Sequence, residues 1–450
     1  INSGGSLIVS GTSTGNVTYN RTLDFVSGNA NGWHLISSPL AAQTYNNDYA
    51  ETNGLATSGT KRGLAFYNDA LASGSKYTYL LSDDSNTSSF NTGVYSGSGI
   101  GYSAKRASTT GTVAFTGTIN TDDVNGVAVS TSGDGFNLLG VPYTSYISSQ
   151  TFLTDNSNLE QTQIWVWEQG VTGGNFIAMT AIADNFILAP GQGFFVKAAS
   201  GTTVNFAETN QTANADTFLK SSRTEVKLLI NDGESNRFAK VYFLNNVTKG
   251  FDSGYEGETF GGIKNSLDLF SQLVEGNQGK KYQVQSLPKS DLESMVIPIG
   301  VIADAGKEIT FTADAVNLSS GLKVFLEDTQ TNIFTRLDEA NSEYKITLTE
   351  TLNGVGRFYM HTTASVLSTE DIILNSVRIF KTDSSTLKIT GLPEGKTSFY
   401  LYNILGKEMM TTIFTANGNK EISLSKLASG IYLAKIQTEK GAISKKLILE

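Results

Sequence analysis

At 450 residues the chain is too long for one ordinary core, and about three domains are expected. It holds 45 Gly, only 6 Pro, 18 Tyr and 24 Phe, a composition of short strands joined by tight turns. A net charge of −9 makes nucleic acid and anionic membrane poor partners, and the absence of cysteine from this chain excludes thiol nucleophiles and Cys-ligated metal centres. No apolar run is long enough to cross a bilayer as a helix.

The chain begins at Ile1 without an initiator Met or an apolar leader, and reads as the C-terminal part of a longer precursor. Residues 1–24 contain Ser6-Leu7-Ile8-Val9-Ser10 and Asn16-Val17-Thr18-Tyr19-Asn20 around Gly-rich corners. Such alternation fits the last coil of an upstream β-solenoid and fits equally an edge hairpin of the next domain.

Residues 25–210 carry an internal duplication. Gly32-Trp33-His34-Leu35-Ile36-Ser37-Ser38-Pro39 matches Gly135-Phe136-Asn137-Leu138-Leu139-Gly140-Val141-Pro142. Gly99-Ile100-Gly101-Tyr102-Ser103-Ala104-Lys105 matches Gly191-Gln192-Gly193-Phe194-Phe195-Val196-Lys197, and Thr112–Phe115 then matches Thr203–Phe206. Between the first two matches lie similar hairpins, Leu64–Tyr67 with Tyr77–Leu80 and Ile164–Trp167 with Phe176–Met179. Two related β units pairing their apolar faces would make one domain, with Trp33 and Phe136 in equivalent core sites.

A polar linker, Glu208 to Asp216, precedes a further domain at 217–363. Its expected strands are 226–230, 239–243, 308–311, 323–326 and 344–348, spaced for an antiparallel sandwich. A second linker, Ala364 to Asp371, leads to a last domain at 371–450 with strands near 387–389, 399–403, 422–424, 431–436 and 443–449. The fold class is therefore all-β, in tandem β-sandwich domains.

Candidate chemistry is sparse. The two histidines, His34 and His361, fall in different expected domains, and the second copy of the motif around His34 has Asn137 there. Without a positioned His a Ser-His-Asp triad has no base, and no pair of carboxylates stands out for glycoside hydrolysis. Gly99-Ile100-Gly101 and Gly191-Gln192-Gly193 invite a phosphate-loop reading, but strands rather than helices follow, so tight turns are expected instead. Trp165 and Trp167 sit two apart on one strand face and with Tyr143 could form a platform for a sugar ring. Burial in the sandwich core is the favoured alternative. Acidic turns such as Asp83–Asn86, Asp232–Glu234 and Asp252–Glu256 lack the EF-hand pattern and read as solvated. No catalytic residue, metal or cofactor is assigned.

The C-terminal segment is more telling. It runs Leu401-Tyr402-Asn403-Ile404-Leu405-Gly406-Lys407-Glu408, then Ser429-Gly430-Ile431-Tyr432-Leu433-Ala434-Lys435-Ile436, then Ser444-Lys445-Lys446-Leu447-Ile448-Leu449-Glu450. Asn417-Gly418-Asn419 and Glu439-Lys440-Gly441 supply turn chemistry. Gly406 and Gly430 are expected where a Cβ would be disfavoured, one ending a strand and one opening the next. Tyr432, Ala434 and Ile436 alternate and should face a small core, leaving Ile431 and Leu433 on the other face. In wording and order this segment resembles the type A C-terminal sorting domain of type IX secretion cargo from the Bacteroidetes, from about Asp371 to Glu450.

The resemblance implies export through the periplasm to the cell surface or the medium. It implies as partners an outer-membrane shuttle barrel, a translocon, and a surface sortase that cuts before the domain and attaches the rest to lipopolysaccharide. Gly406, Gly430, Ile431, Tyr432, Leu433, Lys445, Lys446 and Leu447 would then form the sorting signal, the basic pair falling where the family is usually basic. The favoured function is a non-enzymatic, adhesin-like or stalk protein, with surface glycans as candidate ligands. The alternative is an accessory or carbohydrate-binding region of an exported polysaccharide-degrading enzyme whose catalytic domain lies upstream.

Overall fold

The structure is a computed structural model that describes residues 1–26, 31–72, 74–170, 173–213, 223–276, 279–363, 377–381, 386–403, 406–424, 427–428, 430–438 and 441–449. Strands dominate it throughout, with short helices at a few corners. Contacts divide the chain into two compact units, Ile1–Gln330 with Thr335–Thr362, and Thr331–Phe334 with Thr363–Glu450.

The first unit begins with a repeated β architecture. Strand Trp33–Ser37 pairs antiparallel with Gly101–Lys105, placing Trp33 opposite Lys105 and Ser37 opposite Gly101. Strand Phe136–Gly140 pairs with Gly193–Lys197 in the same register, Phe136 opposite Lys197 and Gly140 opposite Gly193. On the far side, Ala65 stands opposite Ser103 in one copy and Trp165 opposite Phe195 in the other. Hairpins Lys61–Tyr67 with Tyr77–Leu81, and Gln163–Gly170 with Gly173–Thr180, complete the two sheets.

Each copy also has a short helix before its hairpin, which strand periodicity does not announce. Asn46 caps helix Asn47–Thr52 by accepting from Tyr49 N–H, and Ser148 caps Ser149–Asp155 by accepting from Thr151 N–H. The copies exchange backbone bonds across a local pseudo-twofold: Ser37 N–H donates to Gly191 O (3.1 Å) and Gly140 N–H to Gly99 O (2.9 Å). Gly99 and Gly191 have φ of +90° and +72°, so both turns use the left-handed backbone that glycine tolerates.

Matching register does not mean matching environment. Phe136 is buried, whereas Trp33 is half-buried with its ring edge against Tyr79 at 6.0 Å. The difference comes from what covers each sheet. Phe136, Trp165 and Phe195 join Tyr242, Phe260 and Val284 from the following segment in one apolar cluster.

Of the first residues, Val17–Thr22 forms the edge of a three-stranded sheet with Thr112–Ile119 and Leu40–Ala41, and buries Tyr19 opposite Phe115. Ser6–Ser10 forms no strand, although Leu7 N–H reaches Thr144 O at 2.8 Å. In the expected linker, Gln211–Thr212 pairs with Tyr146–Ile147, while 214–216 lie outside the described residues.

Beyond it, one sheet contains Thr224–Asn231, Asn236–Leu244, Asp268–Ser271, Tyr282–Pro288, Ser294–Ala303, Glu308–Val316, Lys323–Asp328, Tyr344–Thr347 and Leu352–Thr363. Val226 and Leu228 share a core with Val324, Leu326, Phe358 and Met360, so distant strands of the sheet fold over one another as a sandwich. One pair is parallel: Asn236–Leu244 with Tyr282–Pro288, Lys240 opposite Val284.

The second unit is a small sandwich of Arg378–Lys381, Thr386–Asn403, Glu408–Ser423, Gly430–Thr438 and Gly441–Leu449. Its own core includes Leu387, Phe399, Leu401, Ala416, Ile422, Tyr432, Ala434, Ile436 and Leu447. Two expected short strands are one long strand, Thr386–Asn403, with register shifts between Thr390 and Leu392 and between Leu392 and Gly395. Asn417-Gly418-Asn419 is not a chain reversal as expected. Gly418, at φ +77°, pairs with Leu392 inside a strand and marks an irregularity there. The linker at 364–371 lies outside the described residues.

Candidate functional site

The C-terminal unit presents one core face and one open face. Strand Gly430–Thr438 buries Tyr432, Ala434 and Ile436, and leaves Ile431 and Leu433 at 45% and 46% exposure. A strict period of two causes this separation, because neighbouring side chains leave a strand on opposite sides. Tyr402 stands opposite Leu433, and Tyr400 opposite Lys435. The Tyr400 and Tyr402 rings lie 6.3 Å apart and nearly parallel.

Across the sheet Ser398 pairs with Ile413, which is 61% exposed. Ile413 and the exposed Met409 extend the apolar face, and sequence reading missed both. Their signal was available in the alternation of Met409, Thr411 and Ile413. An exposed apolar sheet face of this kind is what a partner covers.

The last strand completes the arrangement. Leu447 pairs with Tyr432 and is buried, while Lys446 stands opposite Leu433 and Lys445 opposite Ala434. The side chains of Lys445 and Lys446, and Glu450, lie outside what the structure describes. Gly406 sits at φ +77° in the turn closed by Asn403, whose side-chain oxygen accepts from Lys407 N–H at 3.0 Å. Gly430 also lies at positive φ, +159°, a backbone conformation that residues with a Cβ rarely adopt, although a Cβ there would meet nothing nearer than the Tyr432 ring at 3.7 Å.

The sugar platform of Tyr143, Trp165 and Trp167 is not formed. Tyr143 is fully buried and donates to Phe206 O at 2.6 Å. Trp165 is buried in a different cluster, packed against Phe136 and Phe260, with its indole N–H on Glu258 O. Only Trp167 is partly open, its N–H on Trp33 O at 2.8 Å. The two tryptophans do share a strand face, but the next segment of chain covers it.

The histidines lie apart in the fold. His34 is bonded to Gln169, and burial pushes its pKa down to about 4. His361 is bonded to Glu327 at 2.7 Å. Among the described residues no group of three or more His, Asp or Glu side chains is arranged to hold a metal ion.

Residues 1–361 match the family model described as a domain of unknown function, DUF8693. The chain belongs to this family. Residues 381–450 of this DUF8693 protein match the model for a secretion system C-terminal sorting domain, a span that falls within the second unit just described. The protein is accordingly cargo of the type IX secretion system, exported to the cell surface or the extracellular space, with the secretion machinery as its partner.

No curated protein matches the chain. Similar solved structures include a two-domain fibronectin type III segment of chicken tenascin, at 8% identity and a TM-score of 0.14, covering 35% of this chain and 97% of that one. A polysaccharide lyase matches at 5% identity and a TM-score of 0.15, covering 51% of this chain and 40% of its own. Both likenesses are too slight to carry an argument.

Proposed function

We propose that this is a non-enzymatic, adhesin-like surface protein of a Bacteroidetes cell, delivered by its C-terminal domain to a shuttle barrel in the outer membrane. The observation that carries the reading is the exposed apolar face of Ile431, Leu433 and Ile413 on a domain whose core is already complete. A sheet face left apolar on a small exported domain is best understood as the part a carrier reads. A surface sortase would then act on the segment before the domain.

The non-enzymatic part of the reading is supported by the separation of the two histidines and by the absence of cysteine. The alternative, an accessory region of an exported polysaccharide-degrading enzyme, differs in what it requires upstream of Ile1: a hydrolase or lyase domain instead of further β repeats.

The test is a reporter carrying a signal peptide at one end and residues 371–450 at the other, expressed in a type IX-competent cell. Surface delivery is expected, and removal of Lys445 to Glu450 should hold the reporter in the periplasm. Delivery unchanged by that removal would refute the assignment of the terminal strand to the signal.

A further inference from the structure

The segment Thr259–Asp268 walls a depression on the first unit made of two adjoining lobes. The inner lobe is a cavity of about 140 Å³ lined by Trp167, Phe176, Phe260, Asn175, Arg237 and Asp268, among others. The outer lobe, about 710 Å³, shares Phe260, Asn265 and Asp268 with it and adds Lys264, Lys281 and Asp304. Phe260 and Phe176 lie 4.1 Å apart between ring centres, and Trp167 lies 4.8 Å from Phe176. Together they form an aromatic wall. Gly174 seats the indole, since a Cβ there would fall 2.3 Å from its Cζ2.

Two polar features of this wall are unspent. Asp268 is only 9% exposed, yet among the described residues its carboxylate takes one hydrogen bond, from its own neighbour Leu269 N–H at 3.0 Å. It has no ion pair there, and burial raises its pKa to about 6. The other oxygen is not among the fully buried unpartnered atoms, so it is accessible from the cavity and open to a donor from a bound ligand. Opposite in chemistry is Arg237, whose guanidinium donates to Asn175 Oδ1, to Asn236 O at 2.8 Å and to Asn265 Oδ1 at 3.4 Å. A guanidinium has donors only, so both asparagines must present oxygen to it. Their amide N–H₂ groups, two donors each, are turned elsewhere and find no acceptor among the described residues.

We propose that this depression binds the end of a neutral saccharide. The aromatic wall takes the C–H face of a pyranose ring, Asp268 accepts from one hydroxyl, and the Asn175 and Asn265 amides donate to its neighbours. Adjacent hydroxyls are at once donors and acceptors, which is the complement that a carboxylate beside free amides requires. An aromatic lining with a few fixed polar groups is the usual form of a small-ligand site.

Charge balance argues for neutrality. Arg237, Lys264 and Lys281 face Asp268 and Asp304, so neither sign dominates. A uronate or an amino acid would need its carboxylate on Arg237, three of whose five N–H donors Asn175, Asn265 and Asn236 O already engage, with the Asp268 carboxylate in the same cavity to repel it. For its biological purpose the proposal rests on the surface-binding reading above, but it can fail separately.

The purified full chain is titrated calorimetrically with neutral oligosaccharides (glucan, mannan, galactan and xylan series) and with uronate oligomers. Saturable binding of a neutral series is expected. Asp268→Asn should weaken it about tenfold or more, the effect of losing one charged hydrogen bond. Asn265→Ala, on an exposed segment, should weaken it several-fold with the melting temperature unchanged. Retention of uronates alone, of no neutral series, or with equal affinity by both variants overturns the site. Protease shaving of cells, scored on the same chain, separates the two ideas: export without saccharide binding removes this site alone, and failure of export removes the reading on which its purpose rests.

Discussion

Ser37 and Gly140 meet where the two β units approach most closely, and a Cβ built on Gly140 would lie 2.0 Å from the Cβ of Ser37. The two positions are equivalent in the repeat, each opposite the glycine that opens its partner strand. The duplication has thus been resolved asymmetrically at its axis: one copy keeps a side chain and the other gives up its own. Ser37 uses the room, its hydroxyl donating to Ile100 O at 3.0 Å.

Gly140→Ala should therefore destabilise the protein by roughly 1–3 kcal/mol, the usual range for overpacking a rigid core. Adding Ser37→Gly should recover much of the loss, because the clash needs both Cβ atoms. Urea unfolding of the two single variants and the double variant measures the coupling. Additive losses would mean that Gly140 is required by its backbone and not by Ser37.

This repeat was legible because glycine and aromatic residues recur in one order, and backbone geometry punishes their replacement. What covers the repeat was not. Trp165 and Trp167 were correctly placed on one face, yet Phe260 and Tyr242, far along the chain, bury that face. Period-two reasoning fixes which side chains are neighbours, not whether water reaches them. Strand Tyr282–Pro288 was missed because its buried residues include Gln283, Gln285 and Ser286. Ser294–Ala303 was missed because Pro298 and Gly300 read as breakers. In the fold Gly300 makes room for the Phe270 ring, which a Cβ would approach to 2.2 Å. Arg237 and Asp268 carry no local motif, and only the pairing of distant strands brings them to one cavity.

A buried ion pair joins the two copies. Lys76 Nζ lies 2.8 Å from Asp69 Oδ1, and Asp69 Oδ2 accepts from Gly135 N–H of the other copy at 2.5 Å. Both side chains are nearly inaccessible. Asp69→Ala leaves Lys76 with the carbonyl of residue 69 at 3.0 Å and, as its one carboxylate, the exposed Asp134 at 3.5 Å, and should cost about 3–5 kcal/mol. Asp69→Leu combined with Lys76→Met should cost much less, since no charge is then stranded. Chemical denaturation of both variants makes the comparison, and equal losses would contradict it.

Stability should fall as pH rises from 6.5 to 8. Glu256 is fully buried, and burial lifts its pKa from 4.5 to about 8 despite hydrogen bonds from Asp252 N–H and Ser286 N–H. Above its ordinary pKa the unfolded chain has released this proton while the folded chain still holds it, so raising the pH favours unfolding until the folded group ionises too. The slope is at most about 1.4 kcal/mol per pH unit for one proton. Asp268 acts in the same sense only up to about pH 6. His34 acts in the opposite sense, being held neutral down to about pH 4, so its effect is complete by about 6.5. Unfolding free energies at pH 6.5, 7.2 and 8 should decline for the native sequence and stay flat for Glu256→Gln, whatever that variant's absolute stability.

The exposed face of the C-terminal domain should govern export without governing folding. Ile431 and Leu433 leave the strand on the side opposite Tyr432, Ala434 and Ile436, and the core does not include them. Replacing both with Asp adds charge to a surface already wet, and surface changes of this kind usually move stability by less than about 0.5 kcal/mol each. The same change puts two carboxylates where a carrier would bury an apolar face, and an unpaired charge in an interface is strongly unfavourable. Ala434→Asp provides the contrast, since Ala434 is fully buried and the variant should fail to fold. Expressed in a type IX-competent cell, the Ile431→Asp, Leu433→Asp protein should stay folded, as judged by protease resistance, and accumulate in the periplasm. Normal surface delivery of that folded variant would show that the machinery reads another part of the domain, with the strand edge formed by Gly441–Leu449 the next to test.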